Sequence, residues 1–133
     1  MNSDSNNQNL IKINAGLAQI LAGGNFNLNV ILKDISVLNT DIAGVYYQKP
    51  EKFAQDIAEN DIITLKREPE NKFDHLAIAL YYKKIKIGYI PKAKNEVLAK
   101  LIDAGKQFSG KIIKKNNQND YDLQLTIEVF MKG

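Results

Sequence analysis

The chain contains no cysteine and only one histidine, His75. Without cysteine it can form neither a disulfide framework nor a thiolate metal site, which fits a reducing, cytoplasmic compartment. A single histidine cannot supply a His-rich metal site, and it makes a histidine-based nucleophilic triad hard to assemble. We therefore expect a cytoplasmic protein that uses neither a metal ion nor another cofactor.

Long apolar runs and phosphate-binding motifs are also missing. No apolar run approaches the roughly 18 residues that a membrane span requires, and residues 1–9 carry no positive charge of a secretory signal. No glycine-rich phosphate loop ending in Lys-Ser/Thr occurs, which excludes a familiar ATPase. Asp61 with Glu70-Asn71-Lys72 is superficially similar to a metal-dependent nuclease pattern, but these residues need a rigid strand and lie in a proline-containing loop. The sequence therefore predicts no membrane partner and no enzymatic activity.

Positive charge is concentrated in one segment of the chain. Residues 83–115 contain ten lysines against Glu96 and Asp103, a net charge of +8, although the whole chain carries only +3. Such clustering is a candidate footprint for a polyanion. Lysine is also an ordinary way to solvate strand and helix surfaces, so charge alone leaves both interpretations open.

The length of 133 residues and the hydrophobic share of 44% indicate one domain with a single core. Residues 1–9 are rich in Asn and Ser and are predicted to be disordered. Apolar residues at spacings of three and four predict an amphipathic helix over 10–22, followed by a strand over 26–32. Residues 10–40 are thus interpreted as an N-terminal extension, and residues 41–131 as a β-rich domain.

Within 41–131, strand-like patterns recur at short intervals and one helix is inserted. The helix is predicted to be capped by Asn95, to present Val97, Leu98, Leu101 and Ile102 on its apolar face, and to end at Gly105. A mainly β fold follows, a small OB-like or SH3-like barrel of about six strands. The predicted strands cover residues 42–47, 62–67, 77–82, 85–90, 108–115 and 121–131.

Three segments carry a family resemblance. Residues 65–80 join two strand-like runs through a loop rich in carboxylates, with Ala43-Gly44-Val45-Tyr46-Tyr47 before them and Tyr89-Ile90-Pro91-Lys92 after them. Together they resemble the HIRAN domain, a small β-barrel module of fork-remodelling helicases and of short stand-alone bacterial proteins. The resemblance covers about 41–131 and is strongest over 61–92. It implies binding of single-stranded DNA at a free 3′-hydroxyl end in DNA repair or fork processing, with a helicase or another DNA-processing protein as a further partner.

The resemblance assigns base contacts to aromatic residues. It places Tyr46 and Tyr47 against the terminal bases, where stacking contributes about 1–3 kcal/mol per base and tolerates any sequence. Because adjacent strand residues face opposite sides, we predict one of these tyrosines in the core and the other on the ligand. Tyr89 stands where some family members carry a histidine, and Tyr121 falls at a further base-stacking position. One departure is Val45, which replaces a family arginine that contacts the DNA backbone.

The resemblance also assigns the strand terminus. Asn71 and Asp74 match the residues that hold it, with Asp74 accepting a hydrogen bond from the 3′-hydroxyl. A carboxylate beside phosphodiesters is repulsive unless it accepts a donor, so it would select chain ends over chain interiors. A structural alternative stays open, since both side chains can bind nearby backbone amides around a turn set by Pro69.

Lys92 matches a phosphate contact, near a predicted helix start where the dipole also favours an anion. The alternative for any single lysine is an ordinary solvated surface position. The alternative for the whole protein is an interaction module that recruits a DNA-processing partner through a barrel edge or the 10–22 helix, without touching DNA.

Overall fold

The computed structural model describes residues 34–117, 119 and 122–133. These residues form six strands, all paired antiparallel in one sheet of order β1-β6-β5-β2-β3-β4, and one α-helix, so the predicted mainly β fold is confirmed. The elements are β1 (Ile35–Asp41), β2 (Ile62–Arg67), β3 (Ile78–Tyr82), β4 (Ile85–Tyr89), α1 (Glu96–Asp103), β5 (Phe108–Asn117) and β6 (Leu123–Met131). Short 3₁₀-helices cover Val45–Gln48, Pro50–Lys52 and Lys92–Lys94.

The first and last strands of the sheet meet just beyond β1. Ala43 pairs with Tyr89 at the end of β4, and each backbone amide donates to the other residue's carbonyl oxygen over 2.9 Å. This bridge turns the sheet into a partly closed barrel. It depends on Gly88, because a Cβ there would lie 2.6 Å from the carbonyl oxygen of Ala43.

Alternation along β6 builds much of the core. Leu123, Leu125, Ile127 and Val129 are buried and alternate with more exposed residues, as the sequence pattern predicts for a half-buried strand. They pack with apolar side chains of the other strands inside the barrel. Leu98 and Ala99 are the buried residues of α1, whereas Val97 is exposed, so its predicted place on the apolar face is wrong.

Two local predictions are confirmed. Lys83-Lys84 forms the turn between β3 and β4, where Lys83 adopts a φ of 56°. The predicted helix occurs as α1, and Gly105 follows its end with a φ of 100°, a conformation that favours glycine.

The start of the domain differs from the predicted boundary. β1 pairs with β6 from Ile35 onward, so the sheet includes residues that were assigned to the extension. The predicted disorder of 1–9, the helix over 10–22 and the strand over 26–32 lie outside the described residues. Within the part of the chain that the structure describes, no helix is long and apolar enough to cross a membrane.

Candidate nucleic-acid interface

A cavity of about 680 Å³ lies beside the Ala43–Tyr89 bridge. Five of the seven predicted site residues line it, although they come from three separate segments: Tyr47, Asn71, Asp74, Tyr89 and Lys92. The remaining wall is formed by Ala43, Gly44, Gln48, Phe73, Ala77 and Ile90. Tyr46 lies next to this cavity without lining it, and Tyr121 is outside the described residues.

The tandem tyrosines do not lie on a strand. Gly44 has a φ of 75° and turns the chain into the 3₁₀-helix Val45–Gln48, whose first bond runs from the Tyr47 amide to the Gly44 carbonyl. In a 3₁₀-helix successive side chains are about 120° apart, so neighbours do not alternate between two faces. Tyr46 and Tyr47 are 70% and 81% exposed, whereas Val45 is buried. The predicted strand over 42–47 and the predicted core tyrosine are therefore wrong.

The two exposed tyrosine rings contact each other edge to face. Their centroids are 5.4 Å apart and their planes are inclined by 85°. Aromatic pairs favour this arrangement because the positive edge of one ring meets the negative face of the other. Tyr46 can therefore brace the Tyr47 ring at the cavity.

Residues 68–77 form the loop opposite the tyrosines, and side-chain hydrogen bonds shape it. The Asn71 amide donates to the Glu68 carbonyl around Pro69, as in a β-turn. Asn71 Oδ1 then accepts the amides of Phe73 (2.8 Å) and Asp74 (3.1 Å), and Asp74 Oδ1 accepts the amide of Leu76 (2.9 Å). Asn71 and Asp74 therefore do bind backbone amides of their own loop, as the structural alternative predicts. These hydrogen bonds hold both side chains at the cavity wall.

Glu68 connects this loop to β4. Its carboxylate accepts hydrogen bonds from Lys86 Nζ (2.6 Å), the Tyr89 hydroxyl (2.9 Å) and Asn71 Nδ2 (3.0 Å). Burial raises the pKa of Glu68, but these bonds together lower it below its usual value. The hydrogen bond with Glu68 raises the pKa of Lys86, so both groups are charged at neutral pH. The positive charge of Lys86 is therefore balanced by the negative charge of Glu68.

Arg67 holds the far end of the loop. Its guanidinium donates to the carbonyls of Ala77 (2.7 Å) and His75 (3.0 Å) and forms a two-pronged ion pair with Asp103 of α1. The planar fork of arginine suits this arrangement, because several donors point in fixed directions. The loop is thereby attached to both β2 and α1.

Asp74 presents a charged acceptor at the cavity. Burial raises the pKa of its carboxyl, but hydrogen bonds from the Leu76 backbone and Asn95 side-chain amides and the charges of Lys92 and Arg67 together lower it. The pKa of Asp74 is therefore below its usual value, and the group is ionised at neutral pH. Each carboxylate oxygen can accept two hydrogen bonds, so those from Leu76 and Asn95 leave acceptor capacity.

Only part of the lysine-rich segment is available to a polyanion. Lys83, Lys86 and Lys100 pair with Asp56, Glu68 and Glu96. Lys115 donates instead to the carbonyls of Ala54 and Ile57. Lys92 is exposed on the cavity wall, at the start of the 3₁₀-helix Lys92–Lys94. The charge at the cavity is therefore much smaller than the net +8 of the segment.

The nuclease-like residues do not form one site. Asp61 directly precedes β2 and accepts the Ala58 amide, while Glu70 follows the other end of this six-residue strand. Because a strand rises about 3.3 Å per residue, β2 separates the two residues by its length of roughly 20 Å. The described residues contain no group of three His, Asp or Glu side chains that could hold a metal ion.

Phe73 is the cavity residue that the sequence analysis missed. It is 90% exposed, although it is a large apolar residue, and it lines the same cavity as Tyr47 and Asp74. Its signal in the sequence is an aromatic residue between Lys72 and Asp74, inside the stretch 70–75 that is otherwise polar. An aromatic residue in such a loop has no strand or helix face to join, so its role depends on the loop conformation.

The fold is similar to three solved structures. A crystal structure of a protein from Lactobacillus plantarum matches with a TM-score of 0.67 and 21% identity, covering 74% of this chain and 94% of that one. The crystal structure of the HIRAN domain of human HLTF matches with a TM-score of 0.61 and 18% identity (76% and 78% covered). The NMR structure of the HLTF HIRAN domain in its DNA-bound conformation matches with 0.54 and 21% (78% and 82% covered).

At these identities the structural matches establish the fold, and no curated protein matches the chain in sequence. The family model of the HIRAN domain, however, matches residues 35–132, which include all six strands and α1. The match also contains the whole cavity. The chain therefore belongs to the HIRAN domain family.

Proposed function

We propose that this domain binds single-stranded DNA without catalysis, preferentially at a free 3′-hydroxyl end, in DNA repair or replication-fork processing. The observation that carries the proposal is the single cavity that unites exposed aromatic rings, an ionised acceptor and a lysine. The DNA-bound conformation of the HLTF HIRAN domain, a neighbour in fold, supports DNA as the ligand.

Each cavity residue has a distinct chemical role in this proposal. Tyr47 and Phe73 stack on terminal bases, which tolerates any sequence because every base has a π-face. Asp74 accepts the hydrogen bond of the 3′-hydroxyl, and Lys92 neutralises the adjacent phosphate. Asn71 Nδ2 has two N–H groups, of which one donates to Glu68, so the second can donate to a sugar or phosphate oxygen.

The remaining predicted residues have supporting roles. Tyr46 braces Tyr47, and Tyr89 supplies a ring to the wall while its hydroxyl is bound to Glu68. Tyr121 stays a prediction. Val45, the departure from the family pattern, is 5% exposed and packs in the core, so its side chain offers no contact to the DNA backbone. We expect affinity to be reduced accordingly.

The salt dependence of binding tests the proposal against a protein-interaction module. A domain that grips one end should make two to four phosphate contacts, and each contributes about 0.7 to the slope of log affinity against log salt for single strands. Lys92→Gln should lower the slope by about one contact, roughly 0.7, in an anisotropy titration with a short oligonucleotide. Lys84→Gln is the matched control, because Lys84 is also exposed but lies on the β3–β4 turn, outside the cavity lining.

Salt-independent binding would contradict the DNA proposal. The absence of any binding to nucleic acid at low salt would contradict it as well and would favour the protein-interaction module.

Truncation of the exposed rings tests base stacking. Tyr47→Ala and Phe73→Ala should each weaken binding by about 1–3 kcal/mol. Both should leave thermal stability nearly unchanged, because the two rings are 81% and 90% exposed. Val45→Ala should do the reverse, since it removes buried methyl groups and lowers the melting temperature without removing a stacking ring.

The same oligonucleotide titration, paired with thermal melts, measures these effects. If folded Tyr47→Ala and Phe73→Ala both bind like the wild type, the stacking site is misassigned.

A further inference from the structure

Asn95 directly precedes α1, but its side chain does not cap the helix. Asparagine is favoured at this position because its side-chain oxygen accepts an amide of the first helical turn. Here no such bond forms, and Asn95 has helical φ and ψ of −97° and −14°. Instead, Asn95 Nδ2 donates to Asp74 Oδ2 over 2.7 Å, and Asn95 is only 1% exposed. The predicted cap is therefore wrong, and the amide serves a residue of the cavity.

The Asp74 carboxylate is thus held at both oxygens. The Leu76 amide binds Oδ1 from within the 68–77 loop, while Asn95 binds Oδ2 from α1. Two bonds from different elements prevent rotation of the carboxylate, so the directions of its remaining lone pairs are fixed. Leu76 alone would fix one oxygen and leave the other free to turn.

We propose that Asn95 is a positioning residue for end recognition, which orients the Asp74 carboxylate toward the terminal hydroxyl of the bound strand. This inference rests on the proposed function. Asn95 does not form the local capping bond that its residue type favours, and forms a buried hydrogen bond to a site residue instead. Such departures from local preference concentrate at functional sites, which supports this role. Asn95 acts through Asp74 and does not line the cavity.

A purely structural role makes a different prediction. If Asn95 only attached α1 to the loop, its loss would lower stability and weaken binding to every DNA end by the same factor. A positioning role predicts that the ratio of affinities for 3′-hydroxyl and 3′-phosphate ends changes. That ratio is the readout that separates the two roles.

The experiment compares Asn95→Ala with Leu98→Ala, a core truncation on the same helix, using oligonucleotides that differ only at the 3′ terminus. In Asn95→Ala the affinity ratio should fall about fivefold, the effect of one lost hydrogen bond. Leu98→Ala should lose stability and keep the wild-type ratio. In an Asp74→Asn background, Asn95→Ala should leave the ratio unchanged. If Asn95→Ala does not fold, Asn95→Leu keeps nearly the same volume, removes the donor without adding a charge, and should lower the ratio likewise.

A wild-type ratio in Asn95→Ala or its isosteric substitute would overturn the inference while the proposed function stands. An equal fall of the affinity ratio in Leu98→Ala would also overturn the inference, because that variant keeps the Asn95 side chain. A wild-type protein with no preference for the hydroxyl end would overturn both. A carbon NMR titration of the Asp74 carboxyl needs no DNA, and its pKa should rise in Asn95→Ala; an unchanged titration would also refute the positioning role.

Discussion

Replacing the 3′-hydroxyl of a short single-stranded oligonucleotide by a 3′-phosphate is expected to weaken binding more than tenfold, or over about 1.4 kcal/mol. The substitution removes a donor and brings additional negative charge toward Asp74, whose pKa is lowered so that it is ionised at neutral pH. Competition titrations with two oligonucleotides of identical sequence measure the difference. A circular single strand is the third ligand, because it has no end.

The contribution of the carboxylate is best isolated with Asp74→Asn, which keeps the shape of the side chain. Binding to the hydroxyl end should weaken and the discrimination between ends should shrink, because the repulsion disappears with the charge. Asp74→Ala should act in the same direction, but it also removes the bonds to Leu76 and Asn95. Asn71→Ala should weaken binding to both ends and loosen the loop, since Asn71 Oδ1 holds two backbone amides.

Acid provides a further check on the same group. Because the pKa of Asp74 is lowered in the folded protein, its charge and its stabilising bonds persist above the usual aspartate pKa of about 3.9. Both are lost only as the pH falls through the lower, folded-state value. The affinity for the hydroxyl end should therefore be unchanged between neutral pH and about pH 5, a comparison that leaves out the 3′-phosphate because its second ionisation has a pKa of about 6. Equal binding of hydroxyl, phosphate and circular ligands would rule out end recognition.

Gly88→Ala is expected to destabilise the domain by about 3 kcal/mol and to lower its melting temperature by roughly 10–20 °C. A Cβ at this position would lie 2.5 Å from Ile42 Cγ2 and 2.6 Å from the Ala43 carbonyl oxygen. Gly88 also has a φ of 152°, which residues with a side chain rarely adopt. The clash falls on the Ala43–Tyr89 bridge, so the two backbone hydrogen bonds that close the barrel there should break.

Gly105→Ala is the matched control for this variant. Gly105 also has a positive φ, but a Cβ there meets no atom within 4 Å, so only the backbone strain of about 1 kcal/mol remains. Thermal melts compare the two variants, and hydrogen exchange of the Ala43 and Tyr89 amides reports on the bridge. If Gly88→Ala lowers the melting temperature no more than Gly105→Ala does, the bridge does not make the contribution to stability that we infer from the packing.

The elements that depend on neighbouring residues were predictable from the sequence alone. Alternation in β6, the turn at Lys83-Lys84 and the end of α1 near Gly105 all agree with the structure. Side-chain bonds within the 68–77 loop also agree, because Asn71 and Asp74 reach amides only two or three residues away. The resemblance added five residues that lie around one cavity, which periodicity could not have associated.

Tertiary structure decided the features whose partners are distant in the chain. The run at 42–47 has the composition of a strand, but its pairing with β4 stops at Ala43, and Gly44 then turns both tyrosines outward. Asn95 has the residue type of a helix cap, yet its side-chain amide donates a hydrogen bond to the carboxylate of Asp74, 21 positions earlier in the chain. Polar side chains choose among partners by proximity after folding, so the sequence determined which groups were present and the barrel determined which of them meet.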